Sequence, residues 1–229
     1  MVQNIPESFF SNKDLIKRFV SDLNLPINVL DIWHVFAYEL MKYEDAYGSL
    51  TKWINLVDDI NEEYHGDSNK WVDDYYKYRN IIITDMEANH QYQEWNKAQV
   101  KAPEFSPISP RYSSIWNHET CTSGKTYWSF DLKAANFQIF QHYGIIKEDT
   151  YQEFLAKYID KPCMLGWFAN SKYTRQVIFG KLNAGKTTKL QKQWMQHIWE
   201  KYFAPMLPEG TKPVVITTDE FYIEEIDEP

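Results

Sequence analysis

Acidic residues follow directly on two segments of this chain whose composition is typical of β-strands. Residues 126–131 are rich in β-forming side chains and end on Asp131, and residues 213–218 form a similar segment before Asp219 and Glu220. Polar and apolar residues alternate again after Glu220, which predicts a hairpin with its acids near the bend. Carboxylates on neighbouring strands can clamp the divalent cations that assist phosphoryl transfer. Asp131, Asp219 and Glu220 are therefore our candidate catalytic residues.

A basic segment separates these acids along the sequence. From Lys161 through Trp199 the chain contains no Asp or Glu. The basic residues of this segment are Lys161, Lys172, Arg175, Lys181, Lys186, Lys189 and Lys192. Charges of both signs suit a metal-bound triphosphate, because acids hold the cations while Lys and Arg hold the phosphates. Oppositely charged, solvated faces that steer each other during folding explain the same blocks without a ligand.

One motif in the basic segment favours a P-loop. Residues 180–187 satisfy G-x-x-x-x-G-K-[ST], follow the apolar residues 177–179 and precede a predicted helix. In this interpretation Lys186 binds phosphate, and Asp219 serves as the acid that holds Mg²⁺. A P-loop strand belongs to a parallel sheet built from βα units, and too little chain follows residue 187 to build one. A P-loop NTPase is therefore an alternative interpretation.

Three segments in order support a second interpretation. Residues 131–142, in which Asp131 precedes a predicted helix, resemble motif A of the family A nucleic-acid polymerases. Residues 175–180 are similar to the fingers-helix motif of that family, with a basic residue followed four positions later by an aromatic residue and Gly. Residues 218–224 are similar to its motif C, in which acids precede an apolar hairpin return. The resemblance covers about residues 126–226.

The resemblance implies a metal site at the acids. Asp131 and Asp219 would bind Mg²⁺ or Mn²⁺, with the carbonyl of Leu132 as a further oxygen donor, and Glu220 would lie beside the primer end. The implied activity is nucleotidyl transfer, and the implied partners are a nucleic-acid primer–template and a nucleoside triphosphate. Phosphoryl transfer by two cations is consistent with carboxylates on adjoining strands.

The resemblance also implies a nucleotide-binding segment. Arg175 would contact the phosphates of the incoming nucleotide, with Lys172 as a second contact, and Phe179 would pack against the sugar or base. The chain departs from the family pattern at several positions, and these are Asn136 for a Glu, Ser171 for an Arg, Asn183 for a Tyr and Thr218 for a His. The preference for deoxy- or ribonucleotides therefore stays open.

The predicted fold class is α+β. We expect a helical N-terminal region over residues 1–105, packed on a small antiparallel palm-like sheet, and a palm/fingers-like region over 106–229 with a basic fingers-like helical segment. Pro103, Pro107 and Pro110 mark the boundary, since proline does not fit a helix interior. Helices are predicted at about 50–60, 70–95, 133–143, 150–159 and 187–203. The second of these carries an apolar stripe that we assign to the core, namely Trp71, Tyr75, Tyr78, Ile82 and Met86.

The composition of the chain argues against several other classes of function. The net charge of −8 argues against a mainly basic protein that coats nucleic acid. Cys121, Cys163 and the six histidines show no spacing typical of a disulfide framework or a zinc site. Without a long apolar run, we expect a soluble, intracellular protein, and its Tyr, Asn and Lys usage suits a viral source.

Simpler interpretations of the acids also stay open. Asp131 alone is typical of a helix N-cap, and Asp219 with Glu220 is typical of a turn. The N-terminal part of the chain is acidic, which is compatible with a non-enzymatic protein whose helices bind a basic partner.

Overall fold

The computed structural model describes residues 12–14, 17, 49–99 and 122–225. The helices are α1 (Ser49–Tyr64), α2 (Ser68–Ala88), α3 (His90–Lys97), α4 (Ala135–His142), α5 (Tyr151–Ala156), α6 (Pro162–Asn170), α7 (Lys172–Gly180) and α8 (Ala184–Ile198). The strands are β1 (Tyr127–Asp131), β2 (Val215–Ile216) and β3 (Glu220–Glu224), in one antiparallel sheet of order β1-β3-β2. The described chain is mostly helical with a small antiparallel sheet, which confirms the α+β prediction at that level. The predicted boundary at 105/106 lies outside the described residues.

Within its described part, the chain forms two compact units, each assembled from two stretches of sequence. The first unit combines the residues up to Glu87 with Glu148–Ile178. The second unit combines Ala88–Lys147 with the residues from Phe179 onward. Helices α1, α2, α5, α6 and most of α7 therefore belong to the first unit. The sheet belongs to the second unit with α3, α4 and α8.

The core of the first unit is built on one face of α2. Trp71, Tyr75 and Tyr78 recur at helical spacing and are buried, as are Ile82 and Met86, which confirms the predicted stripe. The Trp71 ring stacks on Tyr75 at 5.8 Å. It also contacts Trp167 of α6 edge-on, while Tyr75 packs against Phe168. The apolar face of α2 is therefore covered by α6.

Polar contacts join α1, α2 and the start of α6 within the first unit. The Asp74 carboxylate accepts a hydrogen bond from the Tyr64 hydroxyl at 3.0 Å and pairs with Lys161 Nζ at 2.5 Å. This contact with Asp74 raises the pKa of Lys161. The amide of Cys163 donates to Glu63 Oε1 at 3.1 Å, so an acid of α1 satisfies a free amide in the first turn of α6.

The Asp59 carboxyl on α1 has an unfavourable position for a charge. Burial raises its pKa from 3.8 to about 6, and the nearby acids Glu63, Glu62 and Asp58 add to this shift. From α6, Cys163 also faces Asp59, since that carboxylate contributes to raising the pKa of the thiol. The folded chain therefore binds the Asp59 proton more tightly than the unfolded chain does. Its free energy of unfolding falls as the pH rises from below 3.8 through about 6.

We expect Asp59→Asn to raise the free energy of unfolding at about pH 8 and to have little effect at about pH 4. The pKa change corresponds to about 3 kcal/mol, of which we expect about 1 kcal/mol because Asp59 is half-exposed and screened by solvent. Denaturant unfolding at the two pH values measures the difference, with the exposed Asp73→Asn as the control. An equal gain at both pH values would contradict this assignment.

The sheet of the second unit is apolar on one face. Phe130 of β1 lies opposite Phe221 of β3, and their rings stack at 4.9 Å. Met195 of α8 and Trp199, the first residue of a π-helical turn over Trp199–Phe203, pack in the same cluster with Phe221. Helix α8 and its π-helical end therefore cover the apolar face of the sheet.

Two of the predicted helices have different bounds in the structure, and α6 has no counterpart among the predicted helices. The stretch predicted at 70–95 is divided into α2 and α3, because Asn89 takes an extended conformation and caps α3 by accepting the Tyr92 amide at 3.1 Å. The helix predicted at 187–203 is α8 followed by the π-helical turn. None of the helices in the described part of the chain combines the length and the apolar character needed to cross a membrane.

Candidate metal-binding site at one end of the sheet

The β1–β3 register brings the predicted acids to one end of the sheet. Asp131, the last residue of β1, lies directly opposite Glu220, the first residue of β3. The amide of Leu132 donates to the backbone carbonyl of Asp219 at 2.8 Å, which extends the pairing by one step. Asp131, Leu132, Asp219 and Glu220 are therefore neighbours in space although they are distant in sequence.

The local structure at these acids follows from a tight turn between β2 and β3. The amide of Thr217 donates to the Glu220 carbonyl at 2.8 Å, and the Thr217 hydroxyl donates to the same oxygen at 3.1 Å. This bonding leaves Thr218 and Asp219 in the bend and starts β3 at Glu220. The turn interpretation therefore describes Asp219, while Glu220 is a strand residue.

Asp131 is not the cap of the helix that follows β1. Helix α4 has Ala134 at its N-cap position, with a left-handed φ of 55° and no side-chain hydrogen bond to the helix amides. The N-cap interpretation of Asp131 is therefore wrong, and its exposed side chain ends the strand instead.

The Glu220 carboxylate is engaged by two hydroxyl groups. The Ser129 hydroxyl donates to Glu220 Oε1 across the two strands. The Tyr222 hydroxyl, two residues along β3 on the same face, also interacts with the Glu220 carboxylate. Burial and then this contact raise the pKa of Tyr222 to about 12, and the charge of Asp131 adds to the effect.

The acids lie on the face of the sheet that α8 does not cover. Side chains alternate along a strand, so Asp131 and Glu220 point to the face opposite Phe130 and Phe221. Ser129 and Tyr222 share the acidic face, as do Tyr127 and Glu224 further along the sheet, because each is paired in the same register. The lysines of α8 therefore belong to a helix that packs on the opposite face of the sheet from Asp131 and Glu220.

The predicted nucleotide-binding residues have different environments. Lys172 is exposed and Arg175 lies over the ring of Tyr151 at 5.7 Å, and all three belong to the first unit. Phe179 is fully buried in the second unit, where it stacks on Phe140 at 5.4 Å. In this structure Phe179 is a core residue.

Residues 180–187 do not have the strand–loop–helix geometry of a P-loop. The apolar residues before them are part of α7, and the sheet is antiparallel. Asn183, at a left-handed φ of 54°, caps α8 by accepting the Lys186 amide at 3.1 Å. Lys186 Nζ donates to the carbonyls of Trp95 and Ala98 and lies 4.2 Å from the Trp95 ring centroid. Burial lowers the pKa of Lys186. Its ammonium group connects α8 to the end of α3 through these hydrogen bonds.

We expect Lys186→Met to lower the free energy of unfolding by about 1 kcal/mol, because two backbone carbonyls lose a charged donor. A P-loop lysine would behave differently, since its loss would remove the stabilisation that bound nucleotide confers. Thermal unfolding with and without Mg²⁺–ATP separates the two roles, and the exposed Lys189→Met is the matched control on the same helix. Loss of an ATP-dependent stabilisation in Lys186→Met would restore the P-loop interpretation.

The sequence gives only weak indications of which side chains surround the acids. Ser129 and Tyr222 could have been placed beside the acids by strand alternation alone. The hydrogen bond from Gln191 Nε2 of α8 to Asn136 Oδ1 of α4, at 2.5 Å, has no such signal, because it depends on how two helices pack.

The oxygen donors at this end of the sheet suit a hard divalent cation. Asp131 ends β1 and Asp219 lies in the bend before β3, and carboxylate and carbonyl oxygens are the ligands that Mg²⁺ and Mn²⁺ prefer. Over residues 49–99 and 122–225, no group of three or more His, Cys, Asp or Glu side chains is arranged to hold a metal ion.

Comparison of the chain with protein-family models, with curated proteins and with solved structures gives no match.

Proposed function

We propose that this protein catalyses metal-dependent nucleotidyl transfer to the 3′ end of a nucleic acid. The observation that carries the proposal is the β1–β3 register, which sets Asp131 opposite Glu220 and bonds Leu132 to Asp219. Transfer of a nucleotide by two cations requires carboxylates that lie close enough to hold both cations, and strand pairing can bring together carboxylates that are distant in sequence. The order of the motif-like segments in the sequence supports the same function.

In this proposal Asp131 and Asp219 hold Mg²⁺ or Mn²⁺ with help from the carbonyl of Leu132. The bound cations would neutralise the charge that develops on the transferred phosphate. Asp131 is exposed at the end of its strand. Glu220, held by hydroxyl groups on the sheet, lies next to this pair and would face the primer end.

The finer assignment is a small palm formed by the sheet and a fingers-like helix formed by α7. By the resemblance, Lys172 and Arg175 would bind the triphosphate. This part of the proposal rests on the resemblance alone. Phe179 and Lys186 already make contacts inside the second unit, so we do not assign them to the nucleotide.

Primer extension tests the proposal directly. The full chain is incubated with a primed template, all nucleotides and Mg²⁺ or Mn²⁺, and we expect extended product that depends on the added metal. A binding test accompanies it, since a cation that binds the native state must raise its thermal stability. Absence of both product and metal-dependent stabilisation would overturn the proposal and favour the non-enzymatic interaction protein.

A further inference from the structure

Glu220 and Glu224 of β3 lie on the same face of the sheet but have different kinds of partner. Glu224 pairs with Lys125 Nζ at 2.6 Å at the end of the sheet away from Asp131. Glu220 has no ion pair within residues 49–99 and 122–225, and its partners are the hydroxyls of Ser129 and Tyr222. The fold therefore holds Glu220 in place without neutralising it.

The positions of the two hydroxyls follow from the strand register. Ser129 and Tyr222 are themselves a directly opposed pair, one step along the face from Asp131 and Glu220. Side chains on diagonally related positions of neighbouring strands reach one another, and so do side chains two residues apart on one strand. The Ser129 hydroxyl therefore reaches Glu220 from the side of Tyr222 and away from Asp131.

We propose that Ser129 and Tyr222 are positioning residues that hold the Glu220 carboxylate along the sheet, so that the cation is bound by Asp131 and Asp219 without it. The inference rests on the proposed function. Mg²⁺ in nucleotide-handling sites is held by one or two carboxylates together with substrate phosphates. A third carboxylate on the cation would occupy a position that the triphosphate needs. Restraint of Glu220 therefore keeps the site open to substrate.

The experiment measures Mn²⁺ binding to the full chain by electron paramagnetic resonance, without nucleotide or primer. The double variant Ser129→Ala with Tyr222→Phe removes both hydroxyls, and we expect it to bind Mn²⁺ about threefold more tightly because Glu220 becomes a ligand and affinity rises with ligand charge. Adding Glu220→Gln to the double variant removes this gain. Ser129→Thr keeps a hydroxyl and the strand preference, and retains the wild-type affinity.

Tyr127→Phe is the matched control, since it removes a hydroxyl from the same face of β1. Its hydroxyl accepts the Thr122 amide at 2.7 Å, away from Glu220. We expect this variant to bind Mn²⁺ as the wild type does. Thermal unfolding of each variant verifies that the chain is folded.

The outcomes separate the two proposals. Unchanged or weaker Mn²⁺ binding in the double variant, with binding that Asp131→Asn abolishes, would overturn the positioning role and leave the proposed function standing. A wild-type chain that binds no Mn²⁺ would overturn both. Tighter binding that persists after Glu220→Gln would also overturn the positioning role, because another group would then be the added ligand.

Discussion

From the proposed function we expect Asp131→Asn and Asp219→Asn each to lower metal-dependent primer extension by at least about 100-fold while the chain stays folded. Loss of one metal-binding carboxylate removes several kcal/mol of transition-state stabilisation, which corresponds to a change of this size. Asn keeps the shape of the side chain and replaces the charge, so the strand pairing around Leu132 and Glu220 is preserved. Single-turnover extension at saturating Mg²⁺ measures the loss, and circular dichroism verifies the fold.

The matched control for these variants is Glu225→Gln. Glu225 is an exposed acid just after the other end of β3, where its amide bonds to the Thr126 carbonyl at 2.9 Å. We expect this variant to keep the wild-type activity. Full activity in Asp131→Asn would refute the metal-site assignment, and an equal loss in all three variants would show that the loss is not specific to Asp131 and Asp219.

Phe221→Ala is expected to lower the free energy of unfolding by about 3–5 kcal/mol, the range for removing a large aromatic side chain from a packed core. Phe221 is fully buried. Its ring lies 4.9 Å from Phe130, 4.9 Å from Phe203 and 5.5 Å from Trp199. The side chain therefore joins the strands to the π-helical end of α8. Denaturant unfolding followed by tryptophan fluorescence measures the loss.

Trp128→Ala provides the comparison for Phe221→Ala. Trp128 lies on β1 and is 42% exposed, so its removal is expected to cost less than about 1 kcal/mol. A similar loss of stability in both variants would show that the aromatic cluster under the sheet contributes less than its burial indicates.

The strands that carry the acids and the hairpin of β2 and β3 could be predicted from the sequence because they depend on local patterns. Strand composition before Asp131 and Asp219, and alternation after Glu220, determine where the strands begin and end. A hairpin then allows few registers, since a slip of one residue would move Phe221 out of the core. The helix after β1 and the core stripe of α2 follow from helical periodicity, whereas the pairing of β1 with β3 joins segments that are far apart in the sequence.

The remaining features depend on contacts that no local pattern encodes. Residues 180–187 match a phosphate-binding motif, yet the residues before them are helical because Ile178 and Phe179 are buried by tertiary packing. Lys186 bonds to the carbonyls that end α3, which required knowledge of how α3 and α8 pack. The left-handed Ala134 is likewise unexpected, because alanine carries a steric cost in that conformation.

The interleaved composition of the two units has a consequence for how the protein is made. Helices α1 and α2 leave the ribosome well before α6, which supplies Trp167 and Phe168 to cover their aromatic residues. During synthesis, Trp71 and Tyr75 stay without that cover while the chain up to β1 and α4 is translated. Such exposed aromatic surface is a target for chaperones and for aggregation. A fragment that ends near residue 147 would lack these partners permanently, and we expect it to accumulate in inclusion bodies.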